Sequence, residues 1–126
     1  MKISSVMVVD DSKSSRKVNT ALLHSLLGEQ IDYLEAASGE AALELMDSRT
    51  VDVVLLDLTM PGMSGFDVLA ALQQRKIASQ VIVVSADIQP LARERVETLG
   101  AAGFIAKPIQ LTALRAVLVK LGVLHD

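Results

Sequence analysis

Val54-Leu55-Leu56-Asp57-Leu58-Thr59-Met60-Pro61-Gly62 is apolar up to one carboxylate and then breaks at a Pro-Gly pair. With Val51, Asp52 and Val53 in front of it, the stretch over residues 51–56 is short, β-branched and nearly continuous in apolar character. Such a run suits a strand of a parallel sheet covered on both faces. Ser5–Val9 (SVMVV) and Gln80–Ser85 (QVIVVS) have the same character. Residues 31–36 (IDYLEA) and Gly103–Ala106 (GFIA) are more mixed, as edge strands often are.

Helical spacing fills the gaps between these runs. Residues 13–27 carry Val18, Leu22, Leu23, Leu26 and Leu27 on one side, and Gly28 follows as a C-terminal stop. Ser38 can cap a helix over residues 39–48 that buries Ala42, Leu45 and Met46. Ser64 can cap another that carries Phe66, Leu69 and Leu72. Pro90 reads as the first turn of a helix reaching Leu99 and closed by Gly100. The last helix places Leu111, Leu114, Leu118 and Leu121 on one stripe. Strict alternation of five strands with five helices predicts an α/β fold, in which right-handed crossovers give a doubly wound parallel sheet. A chain of 126 residues fits one such domain, spanning residues 1–126.

Composition narrows the function classes. Hydrophobic residues make up 51% and charged residues 21%, the balance of a globular chain. The net charge is −3 and no basic run occurs, which argues against direct nucleic-acid binding through phosphate neutralisation. Cysteine is absent, so disulfides, thiolate metal sites and cysteine nucleophiles are excluded. No apolar run approaches the length of a signal peptide core or a membrane span, and a soluble cytoplasmic protein is expected.

In a doubly wound sheet, ligands sit beyond the carboxyl ends of the strands. Asp10 and Asp11 follow the first strand; Asp57 and Thr59 follow the third. The fourth ends in Ser85, with Ala86 and Asp87 after it, and the fifth is followed by Lys107-Pro108. Taken singly, each has a bland role: Asp11-Ser12 as a helix cap, Asp57 as a turn former, Lys107 as a solvated side chain. Taken together they put acids, hydroxyls and one lysine on a single edge of an apolar sheet.

Electrostatics gives that edge a purpose. Two like charges about 4 Å apart cost roughly 4 kcal/mol at an effective dielectric near 20. Clustered carboxylates therefore call for a cation or for raised pKa values. The donors are all oxygen, which favours a hard ion such as Mg²⁺. A hard metal beside a free carboxylate, a hydroxyl and a lysine suits phosphoryl transfer, with Asp57 as the nucleophile forming an acyl phosphate.

The segments VMVVDDS, LLDLTMPGMSGFD, VIVVSAD and GAAGFIAKPI together resemble the receiver domains of two-component response regulators, of the CheY-like single-receiver type. The resemblance covers essentially the whole chain. It implies a flavodoxin-like fold with strand order 2-1-3-4-5. It makes Asp57 the phosphoacceptor, Asp11 a direct Mg²⁺ ligand, Asp10 an acidic neighbour acting largely through water, and the Thr59 main-chain carbonyl a further ligand. Ser85 matches the switch hydroxyl, Lys107 the lysine that pairs with the phosphoryl group, and Phe104 the switch aromatic, here without a hydroxyl. Thr59 and Asp87 occupy the flanking positions that influence phosphate lifetime. A cis peptide is expected at Lys107-Pro108.

The resemblance further implies a histidine kinase or phosphotransfer protein as donor and a downstream target protein or phosphatase of unknown identity. It implies no catalytic turnover beyond self-catalysed phosphorylation and dephosphorylation. The signalling face would comprise the last two helices and the fifth strand, with Arg93, Glu94, Arg95, Glu97, Arg115 and Lys120. Either a monomer or a weak homodimer is expected. The native-looking Met1 and the end at His125-Asp126 favour a stand-alone receiver over an N-terminal fragment of a longer regulator. A small aspartyl-phosphate phosphatase is the rival reading. Such enzymes carry an Asp-x-Asp nucleophile on the first strand, whereas Asp57 is followed two places on by Thr59. A pseudo-receiver would lack an acid or the lysine, and a dinucleotide-binding domain would show G-x-G-x-x-G after the first strand.

Overall fold

A computed structural model describes residues 3–87 and 89–125 of the chain; Met1 and Asp126, on which the expectation of a stand-alone receiver leans, lie outside them. The element order is β1 (Ser5–Val9), α1 (Lys13–Leu27), β2 (Asp32–Ala36), α2 (Gly39–Ser48), β3 (Val53–Asp57), α3 (Gly65–Gln74), β4 (Gln80–Ser85), α4 (Pro90–Thr98), β5 (Gly103–Ala106) and α5 (Leu111–Lys120). All strand pairs are parallel, in the order β2-β1-β3-β4-β5. The three continuous apolar runs are the three central strands, and the two mixed ones are the edges. A central strand is buried on both faces and an edge strand is not, so the composition follows the position.

Two side-chain sets diverge from each central strand, because successive residues point to opposite faces. Met7, Val9, Val54, Leu56, Val81 and Val83 join a core with Ala42, Met46, Val68, Leu69, Leu72 and Val96, under α2, α3 and α4. Val6, Val8, Val53, Leu55, Ile82, Val84 and Ile105 join a second core with Leu23, Leu114 and Leu118, under α1 and α5. This alternation has a consequence at the carboxyl edge. Continued past the strand ends, it puts Asp10, Asp57 and Lys107 on the side of α1 and α5, and Ser85 on the side of α4.

Local chemistry closes the elements much as their residues dictate. Ser12, Ser38 and Ser64 each accept a main-chain N–H in the first turn of the helix they precede. At α3 the bond is reciprocated: the Asp67 carboxylate accepts the Ser64 N–H at 3.0 Å, completing a capping box. Pro90 stands in the first turn of α4 and Gly28 caps α1. Gly62 turns the chain after β3 with φ of 76°, a conformation costly to residues with a Cβ.

Some boundaries and faces differ from helical and strand spacing alone. Asp57 is the last residue of β3, paired with Val84, rather than the first residue after it. Val51 and Asp52 precede the strand, and β2 begins at Asp32. Val18 is 59% exposed, since α1 turns Asn19 and Leu23 inward, four residues apart. Leu111, in the first turn of α5, is 43% exposed, and the inner stripe narrows to Leu114 and Leu118.

The amino ends of β1 and β3 are tied by a carboxylate that spacing alone did not single out. Asp52 Oδ2 accepts the Ser4 and Ser5 main-chain N–H groups at 2.7 and 3.1 Å. The Ser4 N–H bond is the chief reason the Asp52 carboxyl lies below the usual aspartate range. A depressed folded pKa stabilises above the unfolded value of about 3.9, and that stabilisation is lost as pH falls through the folded value. Asp52→Asn should therefore lose about 1 kcal/mol at pH 7, with the deficit shrinking towards pH 3. Thermal unfolding of both proteins at the two pH values checks this.

Candidate functional site

The carboxyl edge of the sheet gathers the polar residues that the strand bodies exclude. Asp10, Asp57 and Ser85 are among the few buried polar side chains of the described residues, at 2, 4 and 1% exposure. Asp11 is exposed at the rim. One carboxylate oxygen each from Asp10, Asp11 and Asp57 lies within 4.8 Å of the others. Lys107 bridges two of these acids, its Nζ standing 3.3 Å from Asp10 Oδ2 and 3.3 Å from Asp57 Oδ2.

Each group is held by its own element. The Asp10 N–H donates to the Ala36 carbonyl at 3.1 Å, continuing the sheet beyond Val9. Asp10 Oδ1 accepts the Ser12 N–H at 2.9 Å, so Asp10 braces the entry to α1 while Ser12 caps it. The Thr59 N–H reaches Asp57 Oδ1 at 3.3 Å. The Lys107 N–H donates to the Ser85 carbonyl at 2.9 Å, and Lys107-Pro108 is cis.

The electrostatics follow from crowding charges in a poorly hydrated place. Burial raises the Asp57 pKa above the usual carboxylate value, and the Asp10 charge adds to this. Lys107 and the Thr59 N–H pull the other way without cancelling it. For Lys107, burial alone would lower the pKa, but the Asp57 and Asp10 carboxylates outweigh it and hold the ammonium above its ordinary range. Three acids facing one lysine leave a deficit of positive charge. An all-oxygen donor set with that deficit fits a hard divalent cation such as Mg²⁺.

The remaining expected residues surround this centre. Ser85 Oγ accepts the Asp87 N–H at 3.0 Å, and Asp87 Oδ1 accepts the Gln89 N–H at 3.0 Å, so Ser85 is tied to the start of α4. Thr59 and Asp87 are exposed, two residues beyond Asp57 and Ser85 respectively. Phe104, paired in register with Val83, is half-buried against the core under α4, with the Arg93 guanidinium 5.2 Å from its ring centroid. Met60 packs in that core and Met63 against it, as loop packing and not as chemistry.

Gly65 was not singled out by motif or spacing. A Cβ at Gly65 would stand 2.7 Å from both the Asp57 carbonyl oxygen and the Leu58 Cα. Its N–H donates to the Leu58 carbonyl at 3.0 Å. Only a glycine lets α3 begin this close behind the acid. In sequence it reads merely as the residue after a cap, so the only signal is a tertiary contact.

The chain belongs to the response regulator receiver domain family, whose profile matches residues 6–119. It is a receiver of two-component signal transduction, with the CheY-like flavodoxin fold, and the family is a phosphoacceptor switch and not a conventional enzyme. The positive alginate biosynthesis regulatory protein of Pseudomonas aeruginosa is 36% identical over 115 residues, covering 91% of this chain and 46% of that protein. The CheY of the CheX–CheY–BeF₃–Mg²⁺ complex from Borrelia burgdorferi superposes with a TM-score of 0.85 at 29% identity, covering 95% of this chain and 90% of that one. The chemotaxis protein CheY4 of Vibrio cholerae superposes with a TM-score of 0.83 at 25% identity, covering 94% and 98%. The chain spans about half the length, or less, of the curated relatives it matches. Receiver domains interact with histidine kinases or phosphotransfer proteins. Among the described residues, no helix is long and apolar enough to cross a membrane.

Two stability changes follow. Gly65→Ala should cost about 1–3 kcal/mol, because the added methyl meets backbone that cannot yield like a side chain; chemical denaturation measures it. In metal-free protein, Asp57→Asn should raise the unfolding midpoint at pH 7. A raised folded pKa is a penalty present above that value and absent below the unfolded one, so the gain should fade towards pH 3. Calorimetry at both pH values reads the sign.

Proposed function

We propose that Asp57 is the phosphoacceptor of this receiver, and that Asp10, Asp11, Asp57 and the Thr59 main-chain carbonyl hold Mg²⁺. The observation that carries this reading is the placing of one ammonium, Lys107, 3.3 Å from each of two buried carboxylates, with a third carboxylate alongside. Mg²⁺, when bound, offsets the charge on the phosphoryl oxygens. The steps themselves belong to the protein. One Asp57 carboxylate oxygen attacks the phosphorus of the donor, a phosphohistidine of a histidine kinase or phosphotransfer protein. The new P–O bond forms as the P–N bond breaks, and the imidazole leaves with the electron pair. Lys107 holds its proton throughout and balances the charge that moves from the carboxylate to the phosphoryl oxygens.

Hydrolysis returns the site to its start: water attacks phosphorus and the Asp57 carboxylate is the leaving group. Thr59 and Asp87 flank this approach and set the lifetime of the acyl phosphate. Ser85 lies beside the acids on the face of α4, so a phosphoryl group that draws its hydroxyl would release the Asp87 N–H and disturb the entry to α4. Phe104 shares that face. The α4–β5–α5 surface would thereby read out phosphorylation to a target protein or phosphatase. Residues 1–126 act as one receiver unit, cytoplasmic, as monomer or weak homodimer, without direct contact to nucleic acid or membrane.

Acetyl phosphate with Mg²⁺ should add one phosphoryl mass increment to the protein, and chelation of the metal should abolish it. Lys107→Ala should slow labelling about a hundredfold. Asp57→Ala should take no label; labelling that survives in Asp57→Ala would remove Asp57 from the role.

A further inference from the structure

Asp11 is the acid of the cluster with the least to hold it. Among the described residues its exposed carboxylate has no hydrogen-bond partner, so its aim at Asp10 and Asp57 comes from the backbone alone. The torsion that matters is that of the Asp10–Asp11 peptide. The Asp10 carbonyl, which belongs to that peptide, lies beyond the last β1–β2 pair, Val9 with Ala36. It accepts instead from the Arg16 guanidinium, Nη1 at 2.8 Å. Arg16 is itself fixed from the other side: its Nε donates to Glu35 Oε1 at 3.0 Å, and Glu35 sits on β2 in register with Val8.

We propose that Arg16 is a positioning residue that locks the Asp10–Asp11 peptide plane and so aims the Asp11 carboxylate at the metal position. The inference rests on the Mg²⁺ site proposed above. An ion pair whose carboxylate is 44% exposed adds little to stability, so stability alone is a weak reason for this geometry. The geometry itself is specific. A planar fork with donors at Nε and Nη1 spans carboxylate and carbonyl at once, whereas an ammonium on a flexible stem holds one point. The side chain is 14% exposed, which keeps water from replacing it at the carbonyl. Its charge pulls the other way, since a cation near the acids repels a second cation. Geometry and charge thus predict opposite outcomes when Arg16 is changed.

The test is Mg²⁺ titration of the whole chain by calorimetry, with unfolding midpoints taken on the same samples. Wild type is compared with Arg16→Lys, Arg16→Met, Glu35→Gln, Asp11→Asn and a control, Arg49→Lys, which alters the Arg49–Asp32 ion pair elsewhere on β2. Both Arg16 variants should bind Mg²⁺ about tenfold more weakly, with Glu35→Gln between them and wild type. Arg49→Lys should bind as wild type. In metal-free protein the Asp11 and Ser12 amide resonances should shift in the Arg16 variants and stay fixed in Arg49→Lys. Unchanged affinity in Arg16→Lys with tighter binding in Arg16→Met would overturn the proposal, leaving Arg16 only a repelling charge. Wild type that binds no Mg²⁺ would overturn the reading of the site and this proposal with it. Binding lost in Asp11→Asn but kept in Arg16→Lys overturns the proposal alone.

Discussion

Three carboxylates converge within 4.8 Å at the edge of an apolar sheet, and one lysine cannot neutralise them. Most of the carboxyl edge can be understood as the means of keeping that unfavourable arrangement in place. Asp57 is the terminal residue of a central strand and sits at 4% exposure, where its charge is poorly hydrated. Gly65 brings α3 in directly behind it, and the capping box at Ser64 and Asp67 fixes where that helix begins. Asp10 is tied through its N–H to Ala36 and through its carboxylate to Ser12 and Lys107. Free energy from two apolar cores stabilises a charge cluster that would otherwise spread apart.

Alternation along the strands divides the edge into two functions. Asp10, Asp57 and Lys107 lie on the α1 and α5 side, so the groups suited to phosphoryl chemistry share one face. Ser85 lies on the α4 side, where Phe104 packs under Arg93. Asp57 is in register with Val84, so Ser85 is the next residue along the neighbouring strand, about 4.8 Å away across the sheet, although the two side chains leave it in opposite directions. Under the role proposed for Asp57, a phosphoryl group there would act on a hydroxyl whose hydrogen bond, from the Asp87 N–H, belongs to the approach to α4.

The fold was legible because each kind of strand leaves a different trace. SVMVV, VVLL and QVIVVS read as doubly covered strands, IDYLEA and GFIA as edges, and every serine cap fell where a helix began. The site acids and Lys107 were legible only as a group, because their separate bland roles would all have to coincide on one edge of an apolar sheet. Three kinds of feature were not. Val18 sits one position off the inward face, a rotation that helical spacing alone does not resolve. Gly65 matters through a close backbone approach, Asp52 through Ser4 on the neighbouring strand's approach, and Arg16 is held between the Asp10 carbonyl and Glu35 on β2. Those roles arise from tertiary contacts, which leave no local pattern.

The most direct measurement is a pH titration of the Asp57 carboxyl carbon by NMR, with and without Mg²⁺. Burial, with a smaller contribution from the Asp10 charge, should put its metal-free pKa above the ordinary aspartate value of about 3.9, and saturating Mg²⁺ should pull it below. A carboxyl that titrates at or below the ordinary value without metal, and does not move when Mg²⁺ is added, would contradict the view that the acids are held together to await a cation.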